Sequence, residues 1–90
     1  MKKGELTRLF DPRAEILARL TEGEKHVERL IEETNLSSGT IDKSLRTLEE
    51  EGLIETKQEE RFPRRRNISL TEKGAKIAHH LDEVRKILEG

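Results

Sequence analysis

Two short apolar stripes of helical spacing, only a few residues apart, constrain this chain more than any other feature. Val27, Leu30 and Ile31 form the first, and the helix they imply runs over 28–35, with Asn35 as a left-handed stop. Ile41, Leu45 and Leu48 form the second, spaced by 4 and 3, and Gly52 ends it. The connection Leu36-Ser37-Ser38-Gly39 is tight, and Ser37 or Ser38 is free to cap the second helix. Two short helices joined this closely make a helix-turn-helix pattern.

The flanking segments complete a fold around that pair. Leu53 to Lys57 reads as a strand directly after Gly52, and Asn67 to Leu70 as a second, alternating polar and apolar. Between them Gln58 to Arg66 is polar and charged, and Pro63 bars a regular central strand. Two strands joined by a basic loop describe a β-hairpin wing. Thr71 caps a last helix, with Glu72 in its first turn, running to about Glu89. Upstream, Asp11-Pro12 starts a helix carrying Ala14, Ile16, Leu17 and Leu20, which ends near Gly23. Glu24 to Val27 leaves room for a small edge strand, and Leu6, Leu9 and Phe10 for a short extra turn.

The expected fold is therefore mainly α with a small β-hairpin, a winged helix-turn-helix in the order α-β-α-α-β-β-α. Residues 1–78 make the domain with its short N-terminal arm. Residues 79–90 extend the last helix toward a dimer partner.

Composition sharpens this. Ninety residues make one small domain, and with only Phe10 and Phe62 aromatic, the core must be Leu, Ile and Val. Charged residues reach 41%, against roughly 25% in ordinary soluble domains, and apolar ones only 31%, so burial through oligomerisation is expected. The absence of cysteine excludes disulfides, thiolate metal sites and a Cys nucleophile. Scarce amides (Asn35, Gln58, Asn67) beside abundant Glu, Lys and Arg suit a thermophilic source. No stretch approaches the ~20 apolar residues of a membrane span, and Met1-Lys2-Lys3 precedes no apolar signal core. A cytoplasmic protein with no membrane partner is expected.

The net charge of −1 hides an asymmetry. Residues 1–60 carry 10 Lys/Arg against 15 Asp/Glu, whereas residues 61–90 carry 8 against 4. Half of those later cations are Arg61, Arg64, Arg65 and Arg66. A phosphate-binding surface depends on such a local field rather than on total charge.

The segment from Leu36 through Ser44 to Ile54 resembles the recognition-helix region of bacterial and archaeal winged-helix regulators of the MarR type. Ser69-Leu70-Thr71-Glu72-Lys73-Gly74 is similar to the strand-to-helix turn after the wing in the MarR and PadR groups. The resemblance covers roughly residues 12–78. It implies transcriptional regulation, with the second helix of the pair in the major groove of double-stranded DNA. MarR-type proteins carry longer helical arms at both ends, which form the dimer and often a ligand pocket. The arm of about ten residues here puts a small-molecule effector in doubt.

On that reading the recognition helix, 38–51, presents Ser37, Ser38, Thr40, Lys43, Arg46 and Thr47 to DNA. Hydroxyls and free N–H groups at its start can hold a phosphate, and Lys43, at a position often basic in the family, can reach a guanine edge. The plain alternatives are that Ser37 and Ser38 only cap, and that Arg46 only pairs with Asp42 or Glu50. Asp42 departs from the pattern, since a carboxylate in the groove repels phosphates. The wing, 58–66, brings Arg61, Arg64, Arg65 and Arg66 to the adjacent backbone or minor groove. Its plain alternative is pairing with Glu59 and Glu60.

In the last helix Ile77, Leu81, Val84 and Leu88, spaced 4-3-4, with Ile87 beside them, form a seam for a homodimer. Packing back on the chain's own first helix is the alternative. His26, His79 and His80 lack the convergent spacing of a metal site, and adjacent His79 and His80 diverge on a helix. No nucleophile–base pairing or Gly-rich phosphate loop suggests an enzyme, and no cofactor is expected. Two further functions stay open: a protein-interaction module, favoured by the acidic first sixty residues, and an architectural DNA binder with little sequence preference.

Overall fold

The computed structural model describes residues 11–90. The short N-terminal arm and the extra turn expected at Leu6, Leu9 and Phe10 lie outside them. Among the described residues four helices pack with a small sheet: α1 (Pro12–Leu20), β1 (Lys25–His26), α2 (Val27–Thr34), α3 (Ser38–Glu50), β2 (Ile54–Gln58), β3 (Arg66–Leu70) and α4 (Glu72–Glu89). The expected order α-β-α-α-β-β-α holds, with boundaries shifted by one residue at several ends.

Each helix starts where an acceptor side chain meets free N–H groups, except α2. Asp11 accepts from Arg13 N–H at 3.0 Å and Ala14 N–H at 3.2 Å, and Pro12 follows at the first helical position. Its carboxyl sits below the usual carboxylate range, chiefly through the Arg13 side chain that bonds it. Ser37 caps α3 and Thr71 caps α4. Asn35, at φ 59°, stops α2 as expected. Gly52, at φ 73°, ends α3 in a Schellman motif: Leu53 N–H bonds Leu48 C=O at 2.9 Å, and Gly52 N–H bonds Glu49 C=O at 3.0 Å. The left-handed conformation there is what glycine supplies cheaply.

Among the described residues the core is wholly aliphatic. Ile16, Leu17 and Leu20 of α1 meet Val27 and Leu30 of α2, Ile41, Leu45 and Leu48 of α3, Ile54 and Ile68 of the sheet, and Ala78 of α4. Ile16, Leu30, Ile41 and Ile68 are completely buried, each worth about 1.5–3 kcal/mol relative to exposure. No helix among the described residues is long and apolar enough to cross a membrane.

The sheet is antiparallel in the order β1-β3-β2, so β3 is its centre and the wing hairpin is β2-β3. Register runs from Ile54↔Leu70 to Gln58↔Arg66. Gln58 and Arg66 are thus strand residues, and the wing loop proper is 59–65. The edge strand β1 is fastened to α2 by Lys25, whose ammonium lies 3.0 Å from Glu33 and 3.1 Å from Glu22. The Lys25 hydrogen bond is the main cause of the Glu33 carboxyl lying below its ordinary value of 4.5.

A second fastening holds α4 against the α3–β2 junction. Thr71 N–H bonds Leu53 C=O at 3.1 Å, Thr71 Oγ1 donates to Gly52 C=O at 2.6 Å, and Lys73 Nζ donates to Glu51 C=O at 3.0 Å. Gly74 sits on that junction so closely that a Cβ there would lie 1.9 Å from the Leu53 carbonyl oxygen. The Ser69–Gly74 motif is therefore a backbone-to-backbone contact, which only glycine permits.

Candidate nucleic-acid interface

Helix α3 follows α2 after only Asn35, Leu36 and Ser37, and most of its residues are exposed or partly exposed. Burial of Ile41, Ser44, Leu45 and Leu48 fixes its rotation. At roughly 100° per residue, Gly39, Lys43 and Arg46 then point outward, and all three are exposed. The two flanks of this face differ. Thr40, Lys43 and Thr47 border a shallow groove shared with Asp11 and Arg13 of α1. Asp42 and Glu49 face the wing and β2.

That second flank resolves the departure noted in the sequence. Asp42 Oδ1 lies 2.9 Å from the Arg66 guanidinium, a bridge between residues twenty-four apart. The carboxylate is neutralised by the wing rather than paired with Arg46, and the bridge seats the base of the wing beside α3. Glu49 accepts from Thr56 Oγ1 at 3.3 Å on the same side.

The four wing arginines are therefore not equivalent. Arg66 is spoken for, while Arg61, Arg64 and Arg65 are exposed, with no carboxylate within ion-pair distance among the described residues. Glu59 does not pair with a guanidinium. Its Oε1 accepts from the backbone N–H of Arg65 at 3.3 Å, and its own N–H bonds Arg65 C=O at 2.9 Å. Arg64, at φ 51°, closes a turn through its N–H to Arg61 C=O at 2.8 Å. Arg65 leans toward the start of α2, bordering a groove with Glu24, Glu28 and Arg29.

At the start of α3 Ser37 is the cap. Ser37 Oγ accepts from Thr40 N–H at 3.2 Å and donates to Thr40 Oγ1 at 2.9 Å. Ser38 is exposed, and Thr47 Oγ1 donates back to Lys43 C=O at 3.3 Å.

The expected seam on α4 divides in two. Leu81 packs against the chain's own core beside Ala78, and Arg85 reaches Glu15 of α1 at 3.6 Å. Ile77, Val84 and Leu88 are about 40% exposed and Ile87 79%. By helical geometry these four make a second apolar stripe beside the one that faces α1. His79 Nε2 lies 2.8 Å from Glu83, and no group of three or more acidic or His side chains converges on a metal position among the described residues.

Sequence reasoning missed Phe62. It stands 91% exposed at the wing tip, amid the arginines, and its aromatic type inside an Arg-Pro run was the available signal.

A helix pair with a three-residue turn, its second helix bridged to a basic antiparallel hairpin, defines a winged helix-turn-helix. The chain belongs to the HxlR-like helix-turn-helix family, which matches residues 13–89. The winged helix-turn-helix part of the resemblance thus holds; the family shown is HxlR-like, and the MarR or PadR type expected from the sequence is not specifically shown. Among solved structures the chain is similar to ZitR of Lactococcus lactis, at 26% identity and a TM-score of 0.77 over 96% of this chain and 66% of that one. It is also similar to the adhesin competence repressor AdcR of Streptococcus pyogenes, at 23% identity and a TM-score of 0.76, covering 97% of this chain and 68% of that one. The transcriptional regulator YodB of B. subtilis is similar at 21% identity and a TM-score of 0.74, covering 96% and 90%. The last two likenesses are of fold. The chain spans between 54% and 66% of the length of ZitR in its structures. A comparison with curated protein sequences gives no match.

Proposed function

We propose that this chain is a sequence-specific, double-stranded DNA-binding transcriptional regulator acting as a homodimer. The observation that carries the reading is the Asp42–Arg66 bridge, which seats an arginine wing beside the exposed face of α3. A duplex lying along Gly39, Lys43 and Arg46 then meets the wing on the side of Asp42. Lys43 and Arg46 reach base edges or phosphates in the major groove. Arg61, Arg64 and Arg65 bind the adjacent backbone or minor groove, where guanidinium groups suit a narrow, strongly negative channel. Membership of a helix-turn-helix family supports this reading.

The stripe of Ile77, Val84, Ile87 and Leu88, with Leu81 at its edge, pairs with the same stripe of a second copy. Two-fold pairing would set two α3 helices about one DNA turn, ~34 Å, apart on a pseudo-palindrome.

Paired substitutions test the division of labour. Lys43→Ala should change which sequence is preferred in a selection from random duplexes, while Arg64→Ala with Arg65→Ala should weaken binding to all sequences alike. Equal affinity of the unaltered protein for scrambled duplexes would instead make it an architectural binder.

A further inference from the structure

The wing tip is braced from both sides. Beyond the last ladder pair, Gln58↔Arg66, the Glu59 and Arg65 backbones bond each other at 2.9 Å, and the Arg61–Arg64 turn closes at 2.8 Å. Phe62 projects from this turn with 91% of its surface open. Phe62 is one of only two aromatic residues in the chain, and so exposed a side chain adds almost nothing to the stability of the fold. Beside it in the chain Arg61 and Arg64 are exposed and without ion-pair partners among the described residues, while Arg65 borders the groove at the start of α2.

A flat apolar plane flanked by cations fits a partner with anionic walls and a stacked, apolar interior. The minor groove of a duplex has that chemistry, and apolar side chains there enter between base steps and kink the helix. We infer that Phe62 is a wedge that enters the minor groove under the wing and partly unstacks one base step. The inference rests on the DNA-binding reading above and adds to it a specificity determinant that makes no hydrogen bond. Flexible pyrimidine–purine steps unstack most cheaply, so the wing would select TA or CA/TG beneath its tip, whereas a stiff A-tract resists.

The test compares the full chain with Phe62→Ala and Phe62→Leu on two end-labelled duplexes of equal A·T content, one with TA steps and one an A-tract. Affinity is read by anisotropy over a salt series and bending by energy transfer between the duplex ends. Because Phe62 is exposed, both variants should fold, which their circular dichroism checks. Phe62→Ala should lose about tenfold in affinity on the TA duplex, about 1.4 kcal/mol, and lose the bend. It should keep the salt slope of the unaltered protein, since no charge is removed. Phe62→Leu should retain most of both. Unchanged affinity and energy transfer in Phe62→Ala would overturn the wedge, as would equal losses on both duplexes without a change in bending. A flat salt response in the unaltered protein would overturn the DNA-binding reading itself.

Discussion

Two helical glycines should respond in opposite directions to the same substitution. In general Ala is favoured over Gly in a helix by about 1 kcal/mol. At Gly39, near the start of α3, an added Cβ meets nothing within 4 Å, so Gly39→Ala should be neutral or stabilising by up to about 1 kcal/mol. At Gly74 the same Cβ would stand 1.9 Å from the Leu53 carbonyl oxygen and 2.8 Å from its carbon. Ordinary contact begins near 3.5 Å, so α4 and the α3–β2 junction must part by roughly 1.5 Å. That movement strains the Thr71–Leu53, Thr71–Gly52 and Lys73–Glu51 hydrogen bonds, each worth ~1 kcal/mol, and the displaced packing costs about 1–3 kcal/mol more. Set against the propensity gain, Gly74→Ala should destabilise by about 2–4 kcal/mol, or lower the Tm by about 10–25 °C for a domain of this size. Urea unfolding followed by circular dichroism, at one fixed protein concentration, measures both variants. A Gly74→Ala protein as stable as its parent would refute the close approach at this junction.

Three further outcomes follow from the site and its fastenings. Asp42→Asn should loosen the seating of the wing and so weaken binding to all duplexes alike, with stability changed by less than ~1 kcal/mol because the pair is exposed; unchanged or tighter binding would show that the bridge does not place the wing. Val84→Asp with Ile87→Asp should give monomers in sedimentation without unfolding the chain, since both side chains are substantially exposed, whereas Leu81 packs inward. A persistent dimer mass would move the interface elsewhere. Because the Glu33 carboxyl is depressed, its stabilising contribution is present above its ordinary value of 4.5 and is lost as pH falls through the lowered one; Glu33→Gln should therefore flatten the acid limb of the stability profile, and an unchanged limb would discount the Lys25 link.

What was legible in the chain was local. Apolar spacing placed α3, Asn35 and Gly52 marked helix stops, and Asp11-Pro12 and Thr71 marked helix starts, because each signal acts within one turn. The alternation over Asn67–Leu70 identified β3, yet its bond to β1 across the sheet was not written in either segment. Asp42 showed the same limit. Nothing nearby indicated a partner twenty-four residues on, so its charge counted against the DNA face until the wing was seen to neutralise it. On α4 the period alone gives a single stripe, since it does not separate Leu81, which meets α1 and the core, from Val84 and Ile87, which face outward.

The measurement that tests the central claim most directly is binding of the unaltered protein to mixed-sequence double-stranded DNA over a salt series, read by fluorescence anisotropy. A log–log slope of several units, reduced by about one for each of Arg61, Arg64 and Arg65 replaced by Ala, is the predicted result. A weak, salt-independent response, or a steep slope that survives removal of all three, would contradict a wing that binds phosphates.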